Sequence, residues 1–292
     1  MDNCYKLVVS DLDGTLLDKN MKISNENALA IARLADLGVN FAISSGRTLC
    51  EILEPGILDG LNVRYVAYSN GAAIYDTEKG EKVASFEIKP NEVAVLFAVL
   101  GDYDASCAVH VDGYSYFDAE MTTEEAFSKH RINNYYRKII LNMRTRESVE
   151  RLAREASAVE SVVAFFASDD ELEAACKRLD RLGCFAISSS VERSIEINSA
   201  RAGKGVSLLG IAELSGACAR DTIAVGDNLN DVPMFDAAGL SLCVKNGNQG
   251  AKQSAIQVVC SSDEHVARYI LDNIILRKLH CNMLREKRKL TT

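Results

Sequence analysis

The hydrophobic and polar positions of this chain follow two alternating patterns, which predict buried strands and amphipathic helices in turn. Three short apolar runs, at residues 6–10, 39–43 and 63–68, have the length and composition of buried strands. Between the first two runs, apolar residues recur at helical spacing, at Ala28, Ile31, Leu34 and Leu37. Strands that alternate with helices predict an α/β fold with a parallel sheet flanked by helices.

The pattern changes after the third strand and predicts a second unit that is inserted into the first. Alternating residues around a Glu-Lys-Gly turn predict an antiparallel hairpin, and shorter helices and strands follow, with one predicted strand at residues 138–141. The first pattern resumes near the last third of the chain. We therefore expect a discontinuous core domain at residues 1–86 and 190–276, an inserted α+β domain at 87–189 and a basic C-terminal tail at 277–292.

Composition and charge exclude several classes of protein. The chain has 292 residues, of which 48% are hydrophobic and 25% charged, as in an ordinary globular protein. A formal net charge of −8 argues against nucleic acid as a partner. No apolar run approaches the roughly 20 residues that span a bilayer, and no signal peptide is recognisable, so we expect a cytoplasmic protein without a membrane partner. We expect a monomer or a weak homodimer.

The cysteines and histidines show no pattern of their own. The 9 cysteines are odd in number and scattered, which indicates neither a disulfide framework nor a zinc site. The 4 histidines have no ligand spacing among themselves, and we assign none of them a role.

Two carboxylates, Asp11 and Asp13, follow the first predicted strand, and Gly14 comes directly after them. Open α/β sheets bind ligands at the carboxyl ends of their strands. Two nearby acids repel each other unless a cation, most simply Mg²⁺, lies between them. Asp-x-Asp-Gly is also an ordinary turn sequence, so this segment alone leaves both interpretations open.

Three further polar clusters follow or flank other predicted strands. They are Ser45-Gly46, Lys204 between two glycines, and the segment from Gly226 to Asp231. Each has an ordinary explanation as a turn, a surface lysine or a turn before a capped helix. All of them are expected at one edge of one sheet, which favours a shared function.

Together these residue types supply what phosphoryl transfer requires. Asp11 can attack phosphorus and form an aspartyl-phosphate, and Asp13 can protonate the leaving alcohol and later deprotonate water. Asp227 is a candidate Mg²⁺ ligand, and Asp231 is either a weaker candidate or a residue that supports the ligands. The candidate phosphate-binding groups are the backbone amide of Leu12, the hydroxyl of Ser45, the amide of Gly46, the ammonium group of Lys204 and the side chain of Asn230.

The same segments resemble the motifs of the haloacid dehalogenase superfamily in order and approximate spacing. They are Asp11-Leu-Asp-Gly-Thr-Leu-Leu17, Ser45-Gly46-Arg47, Ser69-Asn70-Gly71-Ala72, Lys204-Gly205 and Gly226-Asp-Asn-Leu-Asn-Asp231. The chain is similar in particular to the Cof-type phosphatases, which carry a large α/β (C2B-type) cap. The resemblance implies a Rossmann-like core, with residues 87–189 as the cap. It also implies Mg²⁺ ligands at Asp11, at the backbone carbonyl of Asp13 and at Asp227.

The sequence thus predicts a Mg²⁺-dependent phosphatase that hydrolyses a small phosphorylated metabolite, a sugar phosphate or a similar phosphomonoester. Phosphoryl transfer between sugars, as in phosphomutases, and a phosphate-binding protein without turnover remain alternatives. Receiver domains also use clustered aspartates, but they are much shorter and lack an inserted domain. We expect substrate selectivity to lie in the inserted domain, within residues 112–120 or 160–170.

Overall fold

The computed structural model describes residues 5–188 and 194–281. Its strands, in chain order, are β1 (Leu7–Ser10), β2 (Asn40–Ser44), β3 (Val63–Tyr68), β4 (Ala73–Asp76), β5 (Glu81–Ser85), β6 (Ala105–Val111), β7 (Tyr114–Asp118), β8 (Arg144–Arg146), β9 (Ser161–Phe166), β10 (Phe185–Ser188), β11 (Ser194–Ser199), β12 (Thr222–Gly226), β13 (Leu240–Cys243) and β14 (Gln257–Val258). Its α-helices are α1 (Asn25–Asp36), α2 (Leu49–Leu53), α3 (Pro90–Leu100), α4 (Glu124–Lys129), α5 (Asn134–Asn142), α6 (Val149–Glu155), α7 (Asp169–Asp180), α8 (Lys204–Leu214), α9 (Val232–Ala237), α10 (Gln249–Ser254) and α11 (Val266–Ile270).

The first sheet has the order β14-β13-β12-β1-β2-β3-β4-β5 and is parallel from β14 to β3. Its central strand β1 is buried on both faces, which explains its continuous apolar sequence. Val8 packs on one face with residues of α1 and α11, and Leu7 and Val9 pack on the other with residues of α8. The predicted α/β fold with a parallel sheet flanked by helices is confirmed. Because β1, β2 and β12 are parallel, their carboxyl ends meet at one edge of the sheet.

The second sheet has the order β10-β11-β9-β6-β7-β8 and is antiparallel except for the pair β7 and β8. Helices α3, α6 and α7 cover one of its faces. Helices α4 and α5 cover part of the other face, where Phe127 and Ile140 pack against Phe165. The rest of that face, including Ala108 and His110, lines a cavity that separates it from the carboxyl edge of the first sheet.

Two segments differ from the sequence-based expectation. Residues 138–141, expected to form a strand, lie in helix α5, in which Ile140 is buried and Leu141 is exposed. A short apolar run does not by itself distinguish a strand from a helix, and packing against Phe127 decides it here. Strand β11 pairs with β9 and β10, so it extends the second sheet beyond residue 189, where the predicted inserted domain ends. The division into domains stays a prediction.

The C-terminal tail is described only as far as residue 281, and residues 282–292 of the predicted basic tail lie outside the described part. Within the described residues, none of the helices is long and apolar enough to cross a bilayer.

Glu160 joins the two sheets through buried hydrogen bonds. Its carboxylate accepts hydrogen bonds from the Ser69 hydroxyl at 3.1 Å and from the Gly113 amide at 2.7 Å. The Asn198 side chain donates to the carbonyl oxygens of Ser69 and Glu160, both at 3.0 Å. Burial, reinforced by the charge of Glu87, raises the pKa of Glu160 to about 7.

We expect Glu160→Gln to stabilise the protein at pH 8 and to leave it nearly unchanged near pH 4.5. An unfolded glutamate ionises near 4.5, whereas the folded carboxyl holds its proton up to about 7, so the wild type loses stability as pH rises between these values. Glutamine does not ionise, and the expected gain at pH 8 is about 3 kcal/mol in the free energy of unfolding. Urea unfolding at both pH values measures it, with the exposed Glu213→Gln as control. A gain in stability that is equal at the two pH values would contradict the raised pKa of Glu160.

Candidate active site

The carboxyl edge of the first sheet opens into a cavity of about 630 Å³ beneath the uncovered face of the second sheet. The predicted site residues that line this cavity are Asp11, Asp13, Gly46, Asp227 and Asn230. Lys204 and Ser45 are buried beside it. The structure therefore brings together side chains that lie up to 219 positions apart in the sequence, from Asp11 to Asn230. Their roles remain a proposal.

The loop after β1 fixes the two carboxylates in different environments. Asp11 is extended and buried, and the side chain of Leu12 is fully buried in the core, which anchors the loop. Gly14 has φ +80°, and a Cβ there would lie 2.6 Å from Oδ2 of Asp227. The chain thus turns closely past Asp227 only with glycine at this position. The backbone amides of Leu12 and Asp13 lie at the start of this turn.

Lys204 is buried at the start of α8 and contacts two carboxylates. Its Nζ donates to Oδ1 of Asp11 at 2.7 Å and to Oδ1 of Asp231 at 2.6 Å. Burial alone would lower the pKa of Lys204, but the charges of Asp11 and Asp231 raise it above its usual value, so the ammonium form is retained. In turn, burial raises the pKa of Asp11, and the nearby ammonium group opposes that rise.

Asp231 shapes the loop after β12. Its Oδ2 accepts hydrogen bonds from the amides of Asp227 at 2.8 Å and Asn228 at 2.9 Å, while Lys204 occupies Oδ1. A Cβ on Gly226 would lie 2.3 Å from Asp231, so the loop closes over this carboxylate only with glycine there. Both oxygens of Asp231 are therefore engaged within the protein, where they hold Lys204 and the loop that carries Asp227.

The carboxylates suit a hard divalent cation. Oxygen atoms of Asp11, Asp227 and Asp231 all lie within 4.8 Å of one another. Burial, together with the charge of Asp231, raises the pKa of Asp227 to about 6. The ionised carboxylates of Asp11 and Asp227 therefore repel each other in a site where little water reaches them. A cation would relieve this repulsion, and an all-oxygen donor set is the kind that Mg²⁺ prefers. Mg²⁺, which the superfamily resemblance implies, therefore fits Asp11 and Asp227.

Asp13 is bound by a residue to which the sequence analysis gave no role. Nε of Arg47 donates to Oδ2 of Asp13 at 2.7 Å, and a terminal nitrogen donates to Oδ1 at 2.6 Å. This bidentate pair fixes the plane of the carboxylate, and Asp13 remains 45% exposed toward the cavity. In the sequence, the only indication that Arg47 belongs to the site is its position directly after Ser45-Gly46.

The loops after β2, β3 and β12 are hydrogen-bonded to one another. The Ser45 hydroxyl accepts from the Arg47 amide at 3.2 Å, and the Ser45 carbonyl accepts from the Asn70 amide at 2.9 Å. Asn230 donates through Nδ2 to Oδ1 of Asn70 at 3.1 Å. Asn70 has a left-handed backbone, with φ +56°, which turns its side chain toward Asn230. These bonds hold Gly46 and Asn230 at the wall of the cavity.

The second sheet adds residues that the sequence analysis did not select. Val163 and Phe165 fall within the expected range 160–170, whereas none of residues 112–120 lines the cavity within the described part of the chain. The other contributors from the second sheet and its helices are Ala108, His110, Tyr136, Ile139, Met143 and Glu196. They come from β6, from α5 and the residue after it, and from β11, and only the packing of these elements over the first sheet brings them to the site.

Comparison with known proteins agrees with this fold. A family model described as haloacid dehalogenase-like hydrolase matches residues 8–270. The chain is 27% identical to the 5-amino-6-(5-phospho-D-ribitylamino)uracil phosphatase of Bacillus subtilis, covering 92% of this chain and 98% of that protein. It is 25% identical to the phosphoglycolate phosphatase of Methanosarcina acetivorans, covering 88% and 91%.

Among solved structures, a haloacid dehalogenase-like hydrolase from Bacillus subtilis superimposes with a TM-score of 0.76 at 25% identity, covering 92% of this chain and 99% of that one. The fold and the match over most of the chain define a hydrolase of the α/β class. The chain belongs to the haloacid dehalogenase-like hydrolases, as its motifs predicted.

Proposed function

We propose that this protein hydrolyses a small phosphorylated metabolite, a sugar phosphate or a similar phosphomonoester, with Mg²⁺ and through an aspartyl-phosphate on Asp11. Its class is that of a phosphoric monoester hydrolase, since the family model matches most of the chain and the relatives it resembles are named phosphatases. The metal, the intermediate and the substrate class are the parts that we propose.

The observation that carries the mechanism is the unequal placement of two carboxylates on one loop. Asp11 is 5% exposed and contacts Lys204, whereas Asp13 is half exposed to the same cavity and held by Arg47. The first environment suits a nucleophile that faces a bound phosphate. Asp13 is reached from the cavity, and it can exchange protons with the leaving alcohol and with water once Arg47 releases one of its two oxygens.

The reaction follows from these positions. A carboxylate oxygen of Asp11 attacks phosphorus, the bond from phosphorus to the leaving oxygen breaks, and Asp13 donates a proton to that oxygen. Asp13 then takes a proton from water, which attacks the aspartyl-phosphate and releases inorganic phosphate. Lys204, the Ser45 hydroxyl and the amides of Leu12 and Gly46 are the groups that we propose hold the phosphate oxygens, with Asn230 at the rim.

Mg²⁺ would be held by Asp11, the backbone carbonyl of Asp13 and Asp227, and it would offset the negative charge that gathers around phosphorus. Lys204 and Asp231 support this arrangement from inside the protein, because Asp231 fixes the loop that carries Asp227.

Removal of Mg²⁺ tests the metal assignment. Treatment with a chelator is expected to lower the rate of p-nitrophenyl phosphate hydrolysis by about 10³-fold, and added Mg²⁺ is expected to restore it. Asp227→Asn is expected to raise the Mg²⁺ concentration that gives half-maximal rate by 10-fold or more, because it removes an anionic ligand. The exposed Asp36→Asn serves as control. Hydrolysis that is unaffected by the chelator would refute the role given to Asp227.

The same assay separates the alternatives. Release of inorganic phosphate without any acceptor sugar distinguishes a phosphatase from a mutase, and turnover distinguishes either from a phosphate-binding protein. The two named relatives act, by their names, on a ribitylamino-uracil phosphate and on phosphoglycolate. Both compounds therefore belong in a first panel of phosphorylated metabolites.

A further inference from the structure

The part of the cavity that lies away from the phosphate site is formed by one face of the second sheet. Successive rows of cross-strand neighbours make up this face. His110 lies opposite Ser161, Val163 lies between Ala108 and Glu196, and Phe165 lies between Ser106 and Ser194. Rows two residues apart along a strand are separated by roughly 7 Å. Asn198 near one end of β11 bonds to Ser69 in the loop after β3, so the row of His110 is the one nearest the first sheet.

His110 is built for a hydrogen bond that the protein does not supply. The residue is 7% exposed and lines the cavity, and among the described residues its Nδ1 has no hydrogen-bond partner. Burial lowers the pKa of His110, so the ring is neutral and carries one donor and one acceptor nitrogen. A buried polar atom without a partner costs about 1–3 kcal/mol, and a turn of the His110 ring that brings this nitrogen to a ligand hydroxyl group in the cavity would recover that cost.

The charges on the same surface disfavour a second anion. Glu51 from α2 and Glu196 from β11 line the cavity together with Asp11, Asp13 and Asp227. Arg47 is the cationic side chain among the described lining residues, and it is bound bidentately to Asp13. A carboxylate or a second phosphate on the leaving group would face Glu51 and Glu196 without a cation to receive it.

Glu196 is also placed to accept hydrogen bonds from a ligand. It is half-buried, and burial raises its pKa to about 7, while a hydrogen bond from Asn70 and the charge of Lys204 act in the opposite direction. Val163 lies beside Glu196 in the same row, Phe165 lies in the next row, and the ring of Tyr136 lies edge-on to Phe165 at 5.8 Å. The surface thus offers hydrogen-bonding groups at His110 and Glu196 with apolar side chains, Val163 and Phe165, next to them.

We propose that the leaving group of the substrate is an uncharged alcohol with further hydroxyl groups, which His110 and Glu196 bind, and that phosphomonoesters with an anionic leaving group are rejected. This inference rests on the proposed function, because it takes the phosphate to lie between Asp11 and Lys204. It assigns His110 and Glu196 as specificity residues outside the groups that act on phosphorus.

Two matched pairs of substrates test the proposal. Glycerol 3-phosphate and 3-phosphoglycerate differ by an alcohol in place of a carboxylate, and so do glucitol 6-phosphate and 6-phosphogluconate. We expect kcat/KM of the wild type to be at least 10-fold higher for the neutral member of each pair. Equal or reversed values would overturn the proposal even if every compound is hydrolysed.

Two variants test the residues. His110→Phe keeps a ring but removes both nitrogens, and it should lower kcat/KM for the neutral polyol phosphates 10-fold or more while p-nitrophenyl phosphate changes less than about threefold. Glu196→Gln should lower the ratio of kcat/KM for neutral esters to kcat/KM for anionic esters at least fivefold. His265→Phe, which lies away from the cavity, is the control. An equal loss for all esters would show a structural role and overturn the assignment.

Binding separates this proposal from the proposed function. Calorimetry with Asp11→Asn and Mg²⁺ measures the Kd of each ester without turnover, and the neutral esters are expected to bind at least 10-fold more tightly. If no ester, including p-nitrophenyl phosphate, is hydrolysed by the wild type and this preference is present, the phosphatase mechanism fails and the binding assignment stands. Equal binding of both members of each pair would refute the binding assignment.

Discussion

Asp11→Asn is expected to lower kcat for p-nitrophenyl phosphate hydrolysis by about 10⁴-fold or more. An amide is a poor nucleophile, and the substitution keeps the size of the side chain, so the lost activity should not come from lost packing. Circular dichroism and a thermal melt are the fold controls. Activity above about 1% of the wild type would contradict Asp11 as the nucleophile.

Asp13→Asn provides a comparison on the same loop. Because we assign Asp13 to proton transfer, Asp13→Asn should lower kcat more for an alkyl phosphate such as glycerol 3-phosphate than for p-nitrophenyl phosphate. The phenolate of p-nitrophenyl phosphate leaves readily without a proton. Asp11→Asn should lower kcat for both substrates by a similar factor. Rates with the two esters therefore distinguish the nucleophile from the acid. The same dependence on the leaving group in both variants would contradict the division of roles.

Lys204→Met is expected to reduce kcat by about 10³-fold and the free energy of unfolding by about 3–5 kcal/mol. The lysine is buried and donates to Asp11 and Asp231, so its removal leaves these two carboxylates facing each other without a cation. Urea unfolding in the presence of a chelator measures the stability, because bound Mg²⁺ would mask part of the loss.

The double variant Lys204→Met with Asp231→Asn separates the two effects. Removing the second charge relieves the repulsion, so we expect at least half of the lost stability to return while the activity stays low. If the single variant is as stable as the wild type, the lysine does not hold the two carboxylates as the structure indicates. If the double variant recovers activity, the role of Lys204 at the phosphate is wrong.

The network around Lys204 holds the residues of the site in fixed positions. Asp231 is bound to Lys204 and to two backbone amides, and Asp227 lies at the end of the same loop. Asn246 from the loop after β13 donates to the Gly14 carbonyl at 2.8 Å, which ties a further loop to the one that carries Asp11. Groups fixed in this way are oriented before the substrate arrives, which is how a polar site stabilises developing charge.

The amino-acid sequence by itself determined the parallel α/β fold and the edge at which the polar residues meet. Apolar runs such as Val8-Val9 and the helical spacing after them depend on local periodicity, which a single sequence carries directly. Asp11, Asp13 and Asp227 follow strands of one sheet, and parallel strands necessarily place these ends together. The family was therefore recognisable from residues that are far apart in the chain.

Tertiary structure alone decided which residues face the leaving group. His110 and Glu196 lie on strands that pair through β9, and no local pattern marks either of them as different from an ordinary half-buried strand residue. The helix at residues 138–141 and the contact of Arg47 with Asp13 were decided in the same way, by partners distant in sequence. Periodicity reports which side of an element is buried, whereas the identity of the neighbour depends on how the elements pack.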